Sequence, residues 1–251
     1  MNDLRQYFEK NNSNLIDKWV HYFDVYELYF HKFRNRPINL LEIGVFQGGS
    51  LLMWKNYFHS QSKIFGIDFN SECKKFEQDN INIHIGSQSD KAFLRNFISK
   101  IPKFDIIIDD GSHKMNDQII SFEILFDHLN YGGIYVCEDT HTSYWKNYGG
   151  GIKKQDSFIE FSKSKIDDLH AWHSRDKNHK MSLYTQNLLS IHFYDSMVVF
   201  LKDKVEKPVS RRTGEFIINP GNLMEPKNSF QSDKGFNKPI YYLRKIFKLF
   251  K

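Results

Sequence analysis

A doubly wound α/β domain on a mainly parallel sheet is the fold this sequence predicts, and three observations predict it. After Arg36-Pro37, short apolar runs alternate with amphipathic stretches of helical length, the pattern of parallel strands joined by crossover helices. The first apolar run passes directly into a glycine turn, Gly44-Val45-Phe46-Gln47-Gly48, and then into a helix. The last two runs are separated only by Tyr194-Asp195, too short a link for a parallel crossover, so they form an antiparallel hairpin at the sheet edge.

Leu15, Trp19, Tyr22, Tyr26 and Phe30 fall at helical spacing, so residues 1–36 read as a helical lead-in. The strands then follow as Ile38–Ile43, Lys63–Ile67, Ile81–Ile85, Phe104–Ile108 and Gly133–Cys137, with helices near 50–58, 71–78, 90–100 and 116–128. Residues 144–185, with the Gly149-Gly150-Gly151 triplet and a run rich in Lys, Asp and His, read as a loop insertion. The hairpin Leu189–Phe193 and Ser196–Lys202 completes seven strands and a domain over 37–202.

Residues 203–251 form a basic extension. Between Lys202 and Lys251 stand twelve Lys/Arg against five Asp/Glu, although the whole chain carries only +5. Ile240, Leu243, Phe247 and Phe250 share one helical face there, suited to docking on protein or to lying on an anionic membrane. The 16% aromatic and 26% charged residues describe a globular chain. Cys73 and Cys137 show neither a disulfide framework nor zinc spacing. Charges at Asp3, Arg5, Glu9 and Lys10 exclude an apolar leader core. A cytoplasmic protein is expected, with peripheral membrane contact through the tail as an option and no nucleic-acid partner.

The chemistry gathers at strand ends. Gly44 and Gly48 let the backbone approach a nucleoside, and the helix behind them, starting near Ser50, adds partial positive charge. Their Gly-x-x-x-Gly spacing is not the Gly-x-Gly-x-x-Gly of dinucleotide binding. Glu42, at the end of the first strand, can accept bonds from an ammonium. Asp68, 24 residues after Gly44 and closing the second strand, can bridge a ribose diol. Asp109-Asp110-Gly111-Ser112-His113 follows the fourth strand and Glu138-Asp139 the fifth. Neighbouring strands lie roughly 4.8 Å apart, so Asp110, Glu138 and Asp139 should converge. Two carboxylates about 4 Å apart repel by about 4 kcal/mol at an effective dielectric near 20. Such a set raises its own pKa values or holds a hard cation, Mg²⁺, Mn²⁺ or Ca²⁺ rather than zinc. His113 can reach the same crevice as a general base. Tyr144 and Trp145 are weaker candidates for stacking on a substrate ring.

Together these pieces resemble the macrocin- and mycinamicin-type sugar O-methyltransferases and related bacterial glycan methyltransferases. The resemblance rests on Asp17-Lys18, Leu41-Glu42-Ile43-Gly44, Gly66-Ile67-Asp68, Gln88-Ser89-Asp90, the Asp109–His113 block, Glu138-Asp139, Thr142-Ser143-Tyr144 and the His192–Ser196 hairpin. It implies a Rossmann-like class I methyltransferase fold using S-adenosylmethionine (SAM). Glu42 and Asp68 would then hold SAM, assisted by the glycine turn, Ser50 and Asp109, with Gln88 and Ser89 near the adenine. Asp110, Glu138 and Asp139 would hold Mg²⁺, and His113 would deprotonate a sugar hydroxyl of a free, nucleotide-linked or lipid-linked glycan, in a homo-oligomeric enzyme. A uronate carboxylate is the alternative acceptor, and a non-catalytic SAM- or nucleotide-binding module the alternative of another class.

Overall fold

The computed structural model describes residues 3–214 and 217 of the 251-residue chain. The chain divides into two compact units, the first ending at Pro208, and every helix and strand among the described residues belongs to that first unit. The amphipathic stretch 240–251 lies outside the described residues. No helix among them is long and apolar enough to cross a membrane.

Seven strands form one sheet in the order β3-β2-β1-β4-β5-β7-β6. The first five, β1 (Asn39–Ile43), β2 (Lys63–Asp68), β3 (Ile81–Ile85), β4 (Phe104–Asp109) and β5 (Leu129–Cys137), are parallel. The last two, β6 (Leu188–Tyr194) and β7 (Met197–Lys202), are antiparallel, with β7 inserted between β5 and β6. Tyr194 pairs with Met197, so the hairpin turn is Asp195-Ser196, one residue later than expected. Ser196 takes a left-handed backbone there (φ +62°).

Every residue of β4 is buried, as expected of a parallel strand covered on both faces. Ile106 and Ile108 face one core with Phe23, Phe30 and Trp54; Phe104 and Ile107 face the other with Leu94, Phe122 and Phe126. The first core is closed by α1 (Asp3–Glu9), α2 (Tyr22–Phe30) and α3 (Gly49–Tyr57); the second by α4 (Lys91–Ile98), α5 (Met115–Leu125) and α6 (Phe158–His170). A short α7 (Leu183–Asn187) leads into β6.

Three expectations need correction. The lead-in helix starts only at Tyr22. Residues 15–20 run without regular structure, burying Ile16 and Lys18 and exposing Leu15, Asp17, Trp19 and Val20, so helical spacing was fortuitous there. A Cβ on Gly49 would lie 2.3 Å from the Leu15 carbonyl oxygen, which shows how closely this strap crosses the start of α3. The stretch near 71–78 is a 3₁₀ helix, Ser71–Phe76, rather than an α-helix. β5 begins at Leu129, four residues early, with a register irregularity where it passes β4.

Candidate active site

One cavity of about 1100 Å³ opens at the carboxyl ends of β1, β2, β4 and β5, where ligands bind in open α/β sheets. Its first wall is the glycine turn. Gly44 has φ +94°, and a Cβ there would meet the Asp110 carbonyl oxygen at 2.1 Å, so only glycine lets the ends of β1 and β4 approach. Gly48 has φ +73°, backs onto the Phe76 ring and does not itself border the cavity. Asp68 locks the turn: its Oδ2 accepts the Val45 and Phe46 N–H groups at 2.9 and 3.1 Å, and its Oδ1 accepts Asn70 N–H. The carboxylate still lines the cavity. Gln88 and Ser89 line it too; Gln88 is fixed by donating to Asp109 Oδ1 and accepting the Ser112 N–H at 2.7 Å.

The second wall carries charge. His113 and Asp139 both adopt left-handed backbone, φ +56° and +51°, a conformation that bulky residues keep only where the surroundings enforce it. His113 Nε2 lies 3.7 Å from Asp139 Oδ2 and 4.0 Å from Asp110 Oδ1. One ligand atom from each of Asp110, His113 and Asp139 falls within 4.8 Å of the other two. Tyr22 donates to Asp139 Oδ1 at 2.8 Å, fixing that carboxylate. Two carboxylates facing a shared space beside an imidazole suit Mg²⁺ or Mn²⁺ with open positions, so the residues present fit a divalent cation.

Glu138 is placed differently. It lines the cavity, but its side chain is 1% exposed, accepting from Lys18 Nζ at 2.8 Å and from the Tyr26 hydroxyl at 2.5 Å. Lys18 Nζ also sits 2.5 Å from Asp110 Oδ2 and 3.7 Å from Glu42 Oε1. One buried ammonium therefore faces carboxylates from three strand ends. Burial works against its charge, yet the three carboxylates together hold its pKa well above the ordinary lysine value. Burial pushes the Glu138 carboxyl up to about 8, although Lys18 pulls the other way.

Other expected residues lie behind the walls. Glu42 is fully buried, accepting from Ser50 Oγ at 2.7 Å, and neither it nor Ser50 borders the cavity; burial raises its carboxyl. Asp109 is likewise internal, accepting from Ser121 Oγ, Tyr135 OH and Gln88 Nε2. Trp145 lines the cavity and Tyr144, half-exposed, does not. His141 also faces the cavity, packed between Trp145 (ring centroids 4.8 Å apart) and Trp19 (5.9 Å). Sequence reasoning gives Lys18 no role and misses Trp19, Tyr22 and Tyr26 as site residues. A lysine inside an aromatic-rich lead-in is the available signal.

No family model matches the chain. Curated relatives do. A tetracenomycin rhamnosyl 3'-O-methyltransferase of Streptomyces olivaceus is 36% identical over 214 residues, covering 80% of this chain and 54% of its own. Demethylmacrocin O-methyltransferase of Streptomyces fradiae is 32% identical, over 82% and 54%. Mycinamicin VI 2''-O-methyltransferase of Micromonospora griseorubida is 34% identical, over 74% and 49%. Among solved structures, the MycE methyltransferase of the mycinamycin pathway, in complex with Mg and S-adenosylhomocysteine (SAH), superposes with a TM-score of 0.72 at 29% identity, over 81% of this chain and 54% of that one. The chain thus spans about half the length of the relatives it matches. Over about four fifths of its own length it has the class I methyltransferase fold, and it is a homologue of the macrocin-, mycinamicin- and tetracenomycin-type sugar O-methyltransferases.

Proposed function

We propose that this chain is a SAM-dependent, divalent-cation-assisted O-methyltransferase acting on a sugar hydroxyl of a glycosylated acceptor. The observation that carries the reading is the convergence of Asp110, His113 and Asp139 in the same cavity as the Gly44–Asp68 wall. MycE has been solved with Mg and SAH, and also with mycinamycin VI. A cavity of about 1100 Å³ has room for a nucleoside and a sugar together.

In this reading Asp68 and the Gln88-Ser89 corner hold the adenosine part of SAM. Asp110 and Asp139 hold the cation, while Glu138 is engaged by Lys18 and Tyr26. A bound Mg²⁺ would lower the pKa of the acceptor hydroxyl and fix its position. His113 Nε2 takes the hydroxyl proton as the oxygen forms its bond to the methyl carbon and the carbon–sulfur bond breaks, leaving SAH. Asp139, 3.7 Å away, stabilises the imidazolium so formed. Trp19, His141 and Trp145 offer an aromatic wall for the apolar face of a pyranose.

The test is SAH release from SAM with Mg²⁺ and a panel of rhamnosides, nucleotide sugars and uronates. EDTA should abolish turnover. With a hydroxyl acceptor, His113→Ala should lose about 10²–10⁴-fold in kcat while still binding SAH. A His113→Ala enzyme within threefold of wild type would move the reading to a carboxylate acceptor, which has no proton to lose. SAH binding without turnover on any acceptor would leave the non-catalytic SAM-binding module.

A further inference from the structure

Lys18 belongs to the Asp17-Lys18 pair of the family resemblance, yet the function proposed above gives it no part. The strap that carries it has no regular structure, and its neighbours Asp17 and Trp19 are exposed while the Lys18 side chain is 2% exposed. A buried ion pair is a poor way to gain stability, because desolvation offsets most of the attraction. Tying the strap down does not by itself call for a lysine. What the ammonium does is divide the acids. It holds Asp110 Oδ2 at 2.5 Å and Glu138 Oε2 at 2.8 Å, and the Tyr26 hydroxyl donates to the other Glu138 oxygen. Tyr22 likewise donates to Asp139 Oδ1. Asp110 Oδ1 and Asp139 Oδ2 are left facing the same nitrogen, His113 Nε2, at 4.0 and 3.7 Å.

We infer that Lys18 is a positioning residue of the cation site: its ammonium, held against Asp110 and Glu138, limits the carboxylate charge offered to a divalent cation and so keeps the affinity for it low. The inference rests on the cation-assisted reading above and deepens it, giving the strap a part in metal loading. A fixed positive charge beside Asp110 partly neutralises that carboxylate, and it repels a dication twice as strongly as it would a monovalent ion. By occupying these oxygens Lys18 also leaves more of the cation's charge for the acceptor hydroxyl, because each further carboxylate would neutralise part of it.

Stability and cation affinity should therefore move in opposite directions. Lys18→Met removes the charge; Lys18→Gln removes it and keeps a hydrogen-bond donor. Mn²⁺ added to the cofactor-free protein, with the free ion read by electron paramagnetic resonance at a single pH, should bind Lys18→Met about tenfold more tightly than wild type. Lys18→Gln should tighten Mn²⁺ as well, and it gives the same reading if Lys18→Met does not fold. A lysine that merely ordered the acids would give the reverse, since its loss would scatter the ligands. Mn²⁺ affinity less than threefold tighter than wild type, or weaker, in whichever variant folds would overturn the inference. So would failure of both variants to fold, because the ammonium would then serve the fold. Absence of Mn²⁺ binding in wild type and variants alike would instead sink the cation reading itself, a distinct outcome of the same titration.

Discussion

Replacing Lys18 by Met should be among the most damaging single changes in this domain, and its size can be worked from the geometry. The substitution keeps the apolar stem and removes an ammonium that touches Asp110 at 2.5 Å and Glu138 at 2.8 Å and stands 3.7 Å from Glu42. Glu42 and Glu138 have side chains 0% and 1% exposed, so water cannot replace the lost charge; Asp110, at 21%, is partly screened. Breaking a buried ion pair from one side costs about 3–5 kcal/mol, and the screening of Asp110 favours the lower figure. At ~2–4 °C per kcal/mol for a domain of this size, the melting temperature should fall by about 6–12 °C. The defect should also depend on pH. A carboxyl raised in the folded state binds a proton on folding, so its contribution is greatest below its unfolded value of about 4.3 and is lost as pH rises through the folded value. Without Lys18 the Glu138 carboxyl, already near 8, rises further. The loss should therefore be larger near pH ~8.5 than near pH ~5.5. Urea unfolding across that range measures it, with Lys18→Met/Glu138→Gln as the control that removes charge and acid together and should recover part of the stability. A cost under about 1 kcal/mol at neutral pH, or a double variant no better than the single one, would refute the charge accounting.

Asp68→Ala should weaken SAH by roughly 1–3 kcal/mol in calorimetry, because it removes the ribose acceptor and frees the Val45 and Phe46 N–H groups that order the turn. Asp139→Asn should raise the Mn²⁺ concentration needed for half-maximal turnover at least about tenfold, whereas loss of kcat alone would place Asp139 outside the cation site. His84 sits between Phe65 and Phe97 with a buried Nε2 that has no hydrogen-bond partner among the described residues, and burial lowers its pKa. Burial therefore favours its neutral form in the fold, so its contribution is intact above the unfolded value of about 6.5 and is lost as pH falls below it. His84→Phe should flatten the fall in melting temperature on that acid side.

Much of this was legible in sequence because strand ends are local features. The alternation after Arg36-Pro37 marked all seven strands within a few residues, and the turns after β4 and β5 placed Asp110, His113 and Asp139 at one crevice. What sequence could not show was which side of a backbone each acid faces. Asp109 and Asp110 are consecutive, yet one closes an internal hydrogen-bond knot and the other faces the cavity. Glu138 and Asp139 both border the cavity, but Glu138 is engaged by Lys18 and Tyr26, whereas Asp139 turns toward His113 through a left-handed backbone that no residue type announces. The lead-in misled for a related reason: Leu15 and Trp19 keep helical spacing with Tyr22, but the strap they occupy is held by tertiary contacts with Gly49 and the acids. Propensity yields to such contacts.

The strap also bears on the order in which the molecule assembles. Lys18 meets Asp110 and Glu138 across 92 and 120 residues of chain, contacts whose loop-closure entropy must be met before they contribute anything. During synthesis the lysine emerges long before β4 and β5 exist to receive it. On that account the parallel sheet is expected to form first, with its strand-end acids gathered, and the strap to dock over them as a late step. Folding rates should consequently respond little to Lys18 substitutions and unfolding rates strongly, the kinetic mark of a contact made after the transition state.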